Sequence, residues 1–98
     1  MELKDTVEMM NSADYKERFK SEYYQTKIRY EKLKAFNNRI EAAHATECCE
    51  PIGAPRTNRI EMPKHDCPDY MLKEQQRIMG EYLHILEVRA IIEGINLE

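Results

Sequence analysis

Glycine is scarce in this chain, with three among 98 residues, at positions 53, 80 and 94. That scarcity excludes a glycine-rich phosphate loop and leaves little material for the strained turns on which catalytic nucleophiles often sit. Proline is absent outside 51–68, so nothing on either side of that stretch forces a helix to stop. No apolar run approaches the roughly 20 residues that span a bilayer, and no membrane segment is expected. The start, MELKDTVEMMN, has neither a basic opening nor an apolar run of signal-peptide length, and the expected location is the cytoplasm. Three cysteines are too few and odd in number for a disulfide framework. Fifteen Lys and Arg against eighteen Asp and Glu give a net charge of −3, which offers no electrostatic basis for general nucleic-acid binding.

What is abundant is helical periodicity. From Leu72, the residues Gln76, Met79, Leu83, Leu86 and Ala90 recur at alternating steps of four and three, the spacing of one continuous helical seam. A second row, Ile78, Tyr82, Ile85 and Ile92, runs beside it. Two apolar rows exceed what a helix needs for one neighbour, so the second is predicted to pack against another copy of the chain. Upstream, Phe19, Tyr23, Thr26, Tyr30, Leu33, Asn37 and Ile40 form a comparable seam with polar groups at several core positions. Such a seam gives up stability for register.

The fold class expected is all-α: a long antiparallel helical hairpin in one domain, self-associating. Residues 1–11 form a short helix with Leu3, Val7 and Met10 on one face, 14–44 the first long helix, 45–67 the connection, 68–94 the second helix and 95–98 a tail. Asn11, Ser12 and Asp14 supply oxygens to cap the first long helix. Pro68 suits a first turn, and Gly94 a left-handed end after which Ile95 and Leu97 fold back. Pro51, Pro55, Pro63 and Pro68 break the connection into short segments. A connection above 20 residues exceeds what a helical hairpin needs, and loops of that length are usually functional or disordered.

YEKLKAFNNRIEAA, then CP, LKEQ, MGEYLHILEVRA and IEGINL resemble a small phage-encoded family named after a crAss-like phage. The resemblance covers roughly residues 15–97 and is carried by Met79, Tyr82, Leu83, Leu86, Arg89, Glu93, Gly94 and Ile95. It implies a helical phage accessory protein and supplies no catalytic residues. The long connection and its Cys48-Cys49 pair depart from that pattern.

Three groups of residues are candidates for chemistry. His44, Cys48, Cys49, His65 and Cys67 could converge across the mouth of the hairpin, but adjacent cysteines and a His-x-Cys pair do not match common zinc spacings. The expectation is no metal and no cofactor, with the cysteines acting as small apolar residues. Arg56, Asn58 and Arg59, with His65 nearby, can grip phosphate oxygens and read a base or ribose; the alternative is that they are ordinary loop residues facing solvent. Tyr23 and Tyr30 read as seam residues that keep their hydroxyls near water, whereas Tyr24 lies off the seam and is the better contact for a ligand.

No arrangement here matches an enzymatic motif, and a non-catalytic protein is expected. Two functions fit. One is an anti-defence binding protein that sequesters a small nucleotide-type immune signal, a cyclic nucleotide or ADP-ribose derivative, as a homo-oligomer. The other is a helical adaptor that binds and inhibits, or recruits, a host or phage protein.

Overall fold

A computed structural model describes residues 1–48 and 60–97. In chain order it contains a 3₁₀ turn at Leu3–Thr6, α1 at Val7–Met10, α2 at Tyr15–Cys48 and α3 at Asp69–Glu93. No strand occurs among the described residues. The antiparallel hairpin of α2 and α3 is therefore as expected, with α2 running four residues past His44 because nothing from Ala45 to Cys48 breaks a helix.

Each helix end has a local cause. Asp14 starts α2, its Oδ1 accepting from Lys16 N at 3.1 Å and its carbonyl from Arg18 N at 3.1 Å. Ser12 Oγ accepts in turn from Asp14 N at 3.1 Å. α3 follows Pro68, whose extended ψ of 146° sets the chain direction before the first helical residue. It ends at Gly94, left-handed at φ 70°, with Ile95 N donating to the Ala90 carbonyl at 2.8 Å. That turn buries Ile95 in the core and brings Leu97 against it.

The two seams meet as their periodicity predicts. Phe19, Tyr23, Ile40, Leu83, Leu86 and Ala90 are buried, with Tyr30, Leu33 and Met79 half-buried between them. The polar seam positions are satisfied across the interface. Buried Asn37 donates from Nδ2 to the Leu72 carbonyl at 3.1 Å and to Gln76 Oε1 at 2.9 Å, tying the two helices to one register. The Tyr23 hydroxyl donates to Glu87 of α3 at 2.7 Å. Burial, together with the negative carboxylate it bonds, pushes this phenol's pKa up to about 12. Gly80 is the close-approach position on α3, since a Cβ there would lie 3.3 Å from Tyr30 Cε1.

The N-terminal arm docks on α2 through Thr6 rather than through Val7 and Met10. Val7 and Met10 are exposed, and fully buried Thr6 makes the joint. Ser21 Oγ donates to the Thr6 carbonyl at 3.0 Å, and Gln25 Nε2 donates to Thr6 Oγ1 at 3.0 Å. The physical reason is the 3₁₀ turn, which advances 3.0 residues per turn and rotates Val7 and Met10 off the face that an unbroken α-helix would present.

The result is elongated, 62 × 25 × 24 Å, with a radius of gyration of 18.5 Å. A compact chain of this length would have a radius near 13 Å. A rod this thin has a narrow core and a large apolar remainder on its surface.

Candidate ligand site at the mouth of the hairpin

At one end of the rod, the C-terminal turn of α2 and the N-terminal turn of α3 face each other, and the connection enters and leaves between them. Asp69, the first residue of α3, joins the parts. One carboxylate oxygen accepts from His44 Nε2 of α2 at 2.9 Å, and the other accepts from His65 Nε2 at 2.6 Å. His65 Nδ1 lies 2.8 Å from the Pro63 carbonyl, and the His65 ring meets Phe36 edge-on at 5.9 Å between centroids.

This geometry favours the charged form of His65. A carbonyl and a carboxylate can only accept, so both contacts are satisfied as hydrogen bonds when both ring nitrogens carry a proton. The bond to Pro63 and then that to Asp69 raise the His65 pKa above its ordinary 6.5. The His44 bond and then the His65 bond hold the Asp69 carboxyl below its ordinary 3.8. The titratable groups around His65 are Asp69 from α3, His44 from α2 through Asp69, and Asp66 from its own segment.

The clamp is thus a pH-dependent joint. Because the folded His65 pKa is raised, its stabilisation is complete below about pH 6.5 and is lost as pH rises through the folded value. The depressed Asp69 pKa has the opposite sense: its contribution is complete above about pH 4 and is lost as pH falls through the folded value. The melting-temperature difference between wild type and Asp69→Asn should therefore be largest between these limits and shrink as pH rises through the raised His65 value. Thermal melts from pH 4.5 to 9 measure it, and a difference that is flat across the range would show that the clamp carries no linked proton.

Of the residues expected to bind ligand, His65 lies in this mouth, while Arg56, Asn58 and Arg59 lie outside the described residues, as does Cys49. Tyr24 is twenty residues before His44 on the same helix, about 30 Å away at 1.5 Å per residue, so one chain does not bring it to His65. A cavity of about 260 Å³ lies beside the clamp, lined by Ala43, Glu47, Ile60, Glu61 and Met62. It is smaller than the roughly 300–1,000 Å³ of ordinary ligand pockets. Its described walls carry two carboxylates, Glu47 and Glu61, and in sequence the nearest Lys and Arg to its lining are Arg59, beside Ile60, and Lys64, two residues after Met62. Among the described residues no group of His, Cys, Asp and Glu is arranged to hold a metal ion.

The second row of α3 is exposed along its whole length: Ile78 at 51 %, Tyr82 at 39 %, Ile85 at 53 % and Ile92 at 77 %. Met71, Val88 and Ile91 extend it. Met71 lies at the end of the row, and Val88 and Ile91 lie at its margin. Arg77, bonded to Glu74 and to Glu81, lies beside this face, where His84 is also exposed. No described helix is long and apolar enough to cross a membrane, so this face is not a membrane span.

A family model described as Sequestin matches residues 13–50. The matched stretch is α2 with its capping residue, and it ends before Arg56 and before α3. No curated protein and no solved structure matches the chain.

Proposed function

We propose that the protein is a non-catalytic, homo-oligomeric binding protein of phage origin that withholds a small phosphate-bearing nucleotide signal, a cyclic nucleotide or ADP-ribose derivative, from its receptor. The observation that carries this reading is the match of α2 to the Sequestin family, whose name is consistent with a sequestering role. In this reading copies associate through Ile78, Tyr82, Ile85 and Ile92. Arg56 and Arg59 grip phosphate, while Asn58 and the cationic His65 read the rest of the ligand. Tyr24 reaches such a site only from a neighbouring copy. The connection is longer than a hairpin requires, and loops of that length are often functional, which supports placing the ligand there.

Sequestration without chemistry has a direct readout. Protein purified from cells making the signal should release it unchanged on heat denaturation, detected by mass spectrometry in proportion to the protein. Release of a chemically altered nucleotide would make the protein an enzyme, and release of none would remove the reading. The adaptor reading draws on one specific observation, the exposed apolar face of α3, and would be favoured by stoichiometric co-purification of another protein with no small molecule.

A further inference from the structure

Away from the mouth, a second concavity runs between the N-terminal segment and the outer surface of α2. It has a volume of about 420 Å³ and is lined by Met1, Tyr24, Lys27, Ile28, Glu31 and Lys32. An adjoining cavity of about 390 Å³ shares Met1, Ile28 and Lys32 and adds Leu3 and Lys4. The larger one falls within the range of ordinary small-ligand sites, which the cavity at the mouth does not.

Helical spacing explains what the groove presents. Tyr24, Ile28 and Glu31 stand four and then three residues apart and form one stripe along α2, while Lys27 and Lys32 fall on either side of it. The floor is therefore an aromatic ring and a branched aliphatic chain bracketed by two ammonium groups. Tyr24 is held half-buried, its ring edge-on to Tyr23 at 5.4 Å between centroids, so the floor is anchored to the hairpin core. Among the described residues no carboxylate forms an ion pair with Lys27 or Lys32, and Lys27 lies 5.8 Å from the centre of the Tyr23 ring. Two ammonium groups without carboxylate partners, beside an apolar floor in a chain of net charge −3, are arranged for an anion that also has a flat apolar part.

We infer that this groove binds a small planar aromatic anion, its ring against Tyr24 and Ile28 and its anionic group between Lys27 and Lys32. Glu31, at one end of the stripe, can accept from an amine or hydroxyl on the ring system and disfavours a second negative group there. The inference goes beyond the mouth and stands on the groove's own geometry. Its helical residues all lie within the 13–50 stretch that matches Sequestin, whereas the arginines of the connection do not.

Adenosine 5′-monophosphate is a suitable probe, because it joins a flat base to a phosphate. Titrated into isotopically labelled full-length protein, it should shift amide signals of residues 1–4 and 24–32 in nitrogen–proton spectra. Lys27→Glu with Lys32→Glu should weaken that binding at least tenfold while leaving the rest of the spectrum in place, since both side chains are exposed. Adenosine, lacking the phosphate, should bind more weakly. The groove would be overturned by no shift there at millimolar probe, by unchanged affinity in the double variant, or by shifts confined to the exposed face around Ile85 and Ile92. Shifts confined to residues 56–65 would also overturn it, while leaving the mouth reading in place.

Discussion

An Ile85→Glu variant is expected to sediment as a monomer under conditions where the wild-type chain sediments as an oligomer. Ile85 is at the centre of the exposed row of α3, half-exposed in the single chain and pointing away from α2. Met71, Ile78, Ile85 and Ile92 recur every seven residues, with Tyr82 between, which is the pattern of a helix that packs against another helix along its length. Placing a carboxylate there loses the burial of one isoleucine, about 1.5–3 kcal/mol. It also leaves a charge without a partner in the interface, which costs roughly 3–5 kcal/mol more in buried settings. The α2–α3 seam does not include Ile85, so the monomer should keep its helical circular dichroism. Analytical ultracentrifugation at micromolar concentration decides the matter, and a monomeric wild type would remove self-association from the proposal.

The hairpin was legible in the sequence because its causes are local and periodic. The row from Leu72 to Ala90 and that from Phe19 to Ile40 each place a residue on one face every three or four positions, and those residues form the core. The ends at Asp14 and Gly94 were legible because each depends on one side chain or one φ angle. Contacts that depend on distant pairing were not. Nothing in the spacing of His44, His65 and Asp69 says that both imidazoles meet one carboxylate, since that requires the α2 and α3 ends to stand side by side. The buried joint made by Thr6, Ser21 and Gln25 was hidden for a related reason: an apolar pattern at Leu3, Val7 and Met10 suggested a different docking face. Tyr24 was visible as an off-seam tyrosine, but its partner surface comes from the N-terminal segment, more than twenty residues earlier.

In the connection, Arg56 and Arg59 are the residues whose chemistry suits a phosphate. Replacing Arg56 or Arg59 with Ala is expected to weaken binding of the sequestered nucleotide by about 2–5 kcal/mol, the cost of truncating one partner of a desolvated charged hydrogen bond. Glu47 and Glu61 line the cavity beside the clamp, so the phosphate grip is expected to fall to guanidinium groups rather than to those walls. Lysine at these positions should restore part of the affinity, because it keeps the charge but not the paired donors. Circular dichroism and the oligomeric state should not change, since the helical seams between α2 and α3 are left intact. Isothermal calorimetry with cyclic nucleotides and ADP-ribose derivatives measures the loss. Full affinity in both alanine variants would move the phosphate grip off the connection and leave Lys27 and Lys32 on α2 as the cations to test next.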